Sequence, residues 1–509
     1  MKAGFGWSDL ELYEHFCYDL QVRYALGYDR LGDGDFEIRS LYYFRERLSR
    51  YNAEQGVNLL EKAFEQITDA QIVSLKVRTG MQRMDSTQIA SNIVSASRLQ
   101  LLVEAVQRVE RILNEADRVR LAETFAPYPQ DSAGHYTYRV KGKEAVQEHL
   151  QKIGQAIHRL LQDLKTAYAA ESAYQVLERI FTDNYHLNES GPAAKANTEL
   201  TSDSLQSVDD LEATYRTKGT GHYKGYVANI TETCDPENEI QLITKVQVAP
   251  NNVDDSQLLA EALPNLQERT DLDTLVTDGG FGGEASDQAL QDAKTVTHIQ
   301  TALRGAQPDP GKFSLSDFDI QQNEQGHPTR LTCPQGQTVP VTPGRTTGWQ
   351  ARFDPAICSA CPFHLDGRCR TQLQKRDPHY LLTFTTPAMR SAKRRQEYLA
   401  HLGHSHNLRS AVEATVRSVK HPFPAGKLPV RGQFRVTCMA IASAATANVR
   451  RIQRDCLAVK KKAGLAAKSA QSQPSGMPEA GAVSFFAFLW ASLARWLRAS
   501  PVFSPSFGC

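Results

Sequence analysis

The chain has almost no net charge, no apolar run that reads as a membrane span, and no paired cysteine framework. A formal charge of +1 over 509 residues says nothing about an ionic partner until it is resolved along the sequence. Charged residues at 23% and hydrophobic residues at 41% are the proportions of an ordinary globular protein, long enough for a large core and more than one domain. Nine cysteines are an odd number, irregularly placed, which excludes a secreted disulfide scaffold and fits a reducing cytosol. Residues 1–20 mix acids with aromatics and lack an apolar core, so no cleavable leader is expected. The apolar stretch 482–502 carries Arg495 and Arg498 and is stopped by Pro501. It reads as an amphipathic segment packing on protein, not as a span.

What is present is segregated charge. Residues 199–292 hold 19 acidic against 5 basic side chains, and residues 390–462 hold 16 basic against 3 acidic. Apolar spacing of three to four residues predicts helices within 8–75, then over 95–113 and 143–168. The stretch 191–209 is polar and reads as a linker or exposed loop. From Ala213 the pattern alternates: 223–233 and 239–249 predict a hairpin turning at Asp235-Pro236-Glu237-Asn238. A helix over 255–266 follows, and then a strand over 272–277 that ends at Asp278-Gly279-Gly280. A short strand-like segment around Asp85, the hairpin, a helix, a strand and a later helix make the order of a ribonuclease-H-like α/β core. The segment 460–474, rich in Lys, Ala, Ser and Gln, is expected to be a mobile tail.

On a helix, His406, Arg409, Glu413 and Lys420 share one face, because steps of three, four and seven residues return to it. A carboxylate among cations suits phosphoryl transfer on DNA when two distant aspartates, Asp85 and Asp278, complete the set. Cleaving a phosphodiester needs a deprotonated nucleophile and a stabilised leaving oxygen. Two Mg²⁺ or Mn²⁺ ions about 3.5–4 Å apart serve both, held by hard carboxylate oxygens. The helical set resembles the Tyr-Arg-Glu-Lys signature of bacterial insertion-sequence DDE transposases, with His406 where that family has tyrosine. Met84-Asp-Ser-Thr-Gln-Ile-Ala-Ser-Asn92 resembles its first-aspartate block and Asp278-Gly-Gly-Phe281 its second. Residues 209–218 with Tyr223-Lys-Gly-Tyr226 resemble its entry to the hairpin, and Ala447-Asn-Val-Arg-Arg-Ile452 its closing helix. The resemblance implies that Asp85, Asp278 and Glu413 are the catalytic, metal-binding triad. It also implies that Arg409 and Lys420 contact phosphates near the reacting end, with His406 a further DNA contact.

Cys333, Cys358, Cys361 and Cys369 stand as C-x24-C-x2-C-x7-C, which predicts a closed structural Zn²⁺ site. The cations around Glu413, Arg417 and Arg431 among them, are expected to bind DNA phosphates. The expected organisation is a helical DNA-binding region (1–80) and the first part of the core (81–299), with a helical insertion at about 94–190. The cysteine-cluster insertion (300–382), the last part of the core with Glu413 (383–457) and a tail (458–509) follow. The expected activity is metal-dependent cutting at element ends and joining of the 3′ hydroxyl to target DNA. The chain would act as a homodimer on DNA, at the nucleoid of a bacterial cytoplasm and away from membranes. Two other readings stand beside it: an endonuclease that does not join, and a non-catalytic zinc-stabilised DNA-binding protein.

Overall fold

A computed structural model describes residues 1–470 except 29, 31–32, 131–132, 304–308, 345–347, 375–376 and 401–405; the side chains of 374, 377, 406–410 and 462–470 also lie outside the description. Helices come first: α1 (Asp9–Tyr18), α2 (Ile38–Gln55) and α3 (Leu59–Leu75). The entry to α1 is a capping box, in which Ser8 Oγ accepts from the Glu11 amide at 3.1 Å and the Ser8 amide donates to Glu11 Oε2 at 2.6 Å. Strand β1 (Met81–Ile89) follows. A helical block then leaves the sheet, built on α4 (Arg98–Ile112), α5 (Lys143–Tyr168) and α6 (Ser172–Asn184). On α5 the buried residues Leu150, Ile153, Ile157, Leu160 and Leu164 step by three and four, so one stripe meets the buried faces of α4 and α6.

The stretch 191–209, expected as a linker, departs from that reading. Gly191–Ala194 pairs with Tyr185–Asn188 as a short hairpin, and Leu205 and Val208 are buried in the helical block's core. Two apolar anchors spaced by three suffice to tie a polar segment down.

The chain returns through β2 (Thr214–Lys218), β3 (Gly221–Thr233), β4 (Ile243–Pro250), α7 (Asp255–Arg269), β5 (Thr274–Thr277), α8 (Glu284–Ala293) and β6 (Thr297–Gln300). Six strands form one sheet in the order β2-β3-β1-β5-β6, with β4 also paired to β3. Strand β3 runs antiparallel to β1 and β4, whereas β5 is parallel to β1 and to β6. The expected hairpin is therefore present, although its second strand starts at Ile243.

Strand β1 alternates. Met84 is buried with Leu259, Leu263 and Leu266 of α7, whereas Ile89 is buried with Val419, Phe423 and Val436 on the other face. Between β6 and the next helices lies a second, antiparallel sheet: β7 (Asp319–Gln322), β8 (Pro328–Thr332), β9 (Thr338–Pro343), β10 (Trp349–Phe353), β11 (Gln372–Gln374) and β12 (Asp377–Phe384). Its core holds Phe318, Leu331, Ala351, Phe353 and Cys358.

Helices α9 (Thr386–Ala400), α10 (His406–Lys420) and α11 (Gln433–Ala470) complete the described chain. The face of α11 on the sheet is Val436, Ala440, Ile441, Ala444 and Ala447, and its small residues let the helix approach closely. Asn448 pairs both backbone groups of Ile243, accepting at 2.8 Å and donating at 2.9 Å. Helix α11 continues to Ala470, through most of the stretch expected to be a tail; 471–474 and the apolar segment 482–502 lie outside the described residues. Among the described residues no helix is long and apolar enough to cross a membrane.

Candidate active site

Two strands set the first two carboxylates. Met81, Gln82 and Arg83 of β1 face Thr274, Leu275 and Val276 of the parallel β5. Two further steps along both strands bring Asp85 abreast of Asp278, and partners in a parallel pair point to the same face. Asp85 itself lies inside β1, opposite Ile230 of β3. Asp278 follows the last residue of β5 and caps a short turn, its Oδ1 accepting from the Gly280 amide at 2.7 Å.

Glu413 arrives on α10, which packs on β1 and also meets β5. One face of the helix is buried through Val412, Thr415 and Val419; Glu413 and Arg417 are on the exposed side. Two anchors fix the helix. Thr415 Oγ1 donates to Glu232 Oε2 at 2.6 Å, and the fully buried Glu232 also takes Arg83 at 2.6 Å and Arg451 at 2.8 Å. Lys420 Nζ donates to Thr87 Oγ1 at 3.2 Å and to the Gln88 carbonyl at 2.9 Å. Burial pulls the Lys420 pKa below its usual value. Because Thr87 shares Asp85's face of β1, α10 covers that face. His406 and Arg409 lie in the first turn of α10, with side chains outside the described residues.

A fourth carboxylate belongs beside these, and sequence reasoning missed it. Asp255 opens α7 with 4% of its surface exposed. Its Oδ1 accepts from Ser86 Oγ at 3.0 Å and lies 3.8 Å from Arg216. Burial raises its pKa; Arg216 and Ser86 oppose the rise, and Asp278 adds to it. A Cβ on Gly280 would meet Asp278 Oδ1 at 2.7 Å and Asp255 Oδ2 at 2.9 Å, so both carboxylates lie against this glycine. The available signal was an Asp-Asp pair at a helix start directly after the hairpin, and it reads equally well as a cap.

Oxygen donors of this kind suit a hard divalent cation. Among the described residues, however, no three His, Cys, Asp or Glu side chains form a group that could hold a metal ion.

The same holds for the cysteines. Burial pushes the Cys358 thiol up to about 11, with Cys369, Cys333 and Cys361 near enough to add to the rise. The fold thus brings the other three into the neighbourhood of Cys358, but among the described residues they form no group that could hold a metal ion. Cys358 Sγ contacts Gln337 at 3.8 Å and Cys369 Sγ contacts Thr371 at 3.3 Å. His364, beside them in sequence, has a buried Nδ1 with no hydrogen-bond partner among the described residues.

Much of the basic run is engaged inside the fold. Arg394 pairs with Asp287 of α8, Lys427 Nζ donates to the Ile93 carbonyl at 2.8 Å, and Arg450 to the Gly4 carbonyl at 2.7 Å. Arg431 is exposed but lies 3.3 Å from Asp209 and donates to the Asn92 carbonyl at 2.7 Å. These cations lock the late helices onto earlier parts of the chain.

Residues 332–453 match a family model described as a transposase DDE domain. The match spans the cysteines, α10 with Glu413 and the first half of α11; Asp85, Asp255 and Asp278 lie outside it. No curated protein and no solved structure matches the chain.

Proposed function

We propose that this chain, which belongs to the DDE transposases through residues 332–453, cuts DNA at the ends of its own element and joins the 3′ hydroxyl to target DNA. The catalytic core is read as ribonuclease-H-like, and the strand order supports that reading. Three antiparallel strands, β4-β3-β1, continue into two parallel ones, β5 and β6. The observation that carries the proposal is the parallel β1–β5 register, which pairs Arg83 with Val276 and, carried two residues on, supports reading Asp85 and Asp278 as neighbours near α10.

In this reading Asp85, Asp278 and Glu413 hold divalent cations, Mg²⁺ or Mn²⁺. A bound cation supplies an activated oxygen nucleophile and charge stabilisation for the leaving oxygen. The chain supplies the rest. The Gly280 amide aims Asp278, the buried Glu232 cluster keeps α10 in place, and Lys420 ties that helix to β1. Arg417 on the outer side of α10, with Arg409 and His406 of its first turn as the family resemblance implies, delivers phosphates to the carboxylates. The N-terminal helices recognise the element end, and a homodimer bridges two ends. Cys358 with Cys333, Cys361 and Cys369 holds a structural zinc beside the second sheet, a reading supported by the nearness of the other three to Cys358 and by the thiolate chemistry that zinc prefers.

The test is cleavage and joining of labelled DNA carrying the element's ends in Mg²⁺. Wild type is expected to nick at the end and to join a precut end, with both activities reduced at least 100-fold in Glu413→Gln and Asp278→Asn. Nicking without joining points to an endonuclease. End binding with no cutting in either metal overturns catalysis.

A further inference from the structure

The few cations of the acidic stretch 199–292 are not spread evenly. Of its five basic side chains, Arg216, Lys218 and Lys224 fall within 214–224, which holds no acid. The other two are engaged inside the fold, Lys245 with Glu61 and Glu65 and Arg269 with Asp69. Residues 214–224 are the hairpin of β2 with the start of β3, and in it Lys218 stands opposite Gly221 and Arg216 opposite Tyr223. Cross-strand partners share a face and residues two apart return to it, so Arg216, Lys218 and Tyr223 lie on one side. Arg216 is 3.8 Å from Asp255, and Lys218 is near enough to oppose the rise of the Asp255 pKa. Asp255 and Asp278 both lie against Gly280, so this side of the hairpin stands by the second aspartate. Arg216 donates to the Asn251 and Val253 carbonyls at 3.1 and 3.2 Å, which pins the hairpin there. Lys218 is exposed, and its ammonium makes no hydrogen bond or ion pair among the described residues. Tyr223 is 39% exposed, with its ring over Gly221.

We propose that the 214–224 hairpin holds the DNA strand entering the carboxylate site, with a backbone phosphate on Lys218 and a base stacked on Tyr223. The proposal rests on the reading of the chain as a DNA-cutting enzyme and names a surface that positions the substrate. The acids of 199–292 repel a polyanion, so an acid-free hairpin with an unpaired ammonium is where a phosphate can approach Asp278. A lysine takes a phosphate, and an exposed ring takes the face of a base, without regard to sequence. That suits a surface beside the chemistry, where any target must be accepted. The opposite face of the hairpin is stiffened by Tyr215 stacked on His222, with ring centroids 5.9 Å apart and Tyr215 Oη 2.5 Å from His222 Nδ1. Lys224 Nζ donates to the Ala96 carbonyl at 2.9 Å and ties the base of the hairpin down. The contact groups are therefore carried on a braced element.

The test reads binding apart from cutting: a fluorescently labelled duplex carrying the element's end is titrated with the full chain, without divalent metal, at stepped salt concentrations. Lys218→Ala is expected to lower the slope of log affinity against log salt by about one. Tyr223→Ala is expected to weaken binding roughly 5- to 150-fold at the wild-type slope, and Tyr223→Phe, which keeps the ring, to bind as wild type does. Both side chains are exposed, so all three variants are expected to keep the wild-type unfolding temperature. Wild-type affinity and slope in both alanine variants, with end binding and cutting intact, overturns the role of the hairpin and leaves the proposed function standing. Failure of the wild type to bind the duplex even at the lowest salt overturns both.

Discussion

His298 lies directly behind the second aspartate. Its Nε2 sits 2.8 Å from Thr277 Oγ1, next to Asp278 in the chain, and its imidazole is almost fully enclosed. Burial pushes its pKa down to about 4, and the nearby Arg394 adds to the fall. The folded value is below the unfolded value of about 6.5, so the unfolded chain binds the extra proton between the two. Stability from this group is therefore complete above about pH 6.5 and is lost as pH falls toward 4, to a ceiling of about 3 kcal/mol. His298→Gln is expected to flatten the unfolding midpoint across that window, measured by thermal denaturation at stepped pH. At this scale Asp85 and Asp278 were legible because each stands in a recognisable block. Asp255 was not, since an acid at a helix start has an ordinary structural use and only the fold reveals what it faces.

A helix carrying an exposed acid needs its other face fixed, and on α10 that is done by polar contacts as well as packing. Glu232 is the hub: Arg83 from β1, Arg451 from α11 and Thr415 from α10 all meet its carboxylate. Removing it takes the shared carboxylate from the buried Arg83 and the half-buried Arg451, so Glu232→Ala is expected to cost about 3–5 kcal/mol. Chemical denaturation measures this, and a cost below about 1 kcal/mol would show that the cluster does not hold the helices. The hub was invisible in the sequence, because Glu232 falls where strand alternation marks no special role. The order of strands and helices could be read from alternation and apolar spacing. Their ends could not: β1 runs four residues past Asp85 and α11 reaches Ala470, lengths set by pairing with β3 and by continued helix propensity.

Across the described residues, the helical block and the first six-stranded sheet keep separate apolar cores. Leu160→Ala, at a fully buried position in the block, is expected to cost about 2–5 kcal/mol while leaving Mn²⁺ affinity within about twofold. A larger change in affinity would mean that the block sets the site's geometry. The charge asymmetry legible in the sequence has a similar whole-chain meaning, because basic residues of the last helices meet acids and carbonyls of earlier parts of the chain. One of these late contacts sets a clock. Lys420 docks on Thr87 across 333 residues, so the last carboxylate cannot join the first until nearly the whole described chain has been made. At roughly 5–20 residues per second, that leaves an interval of roughly 17–67 s after β1 emerges. On the proposed function, a ribosome-bound fragment is therefore held inactive until α10 has emerged, and a message truncated before α10 yields a chain that lacks Glu413.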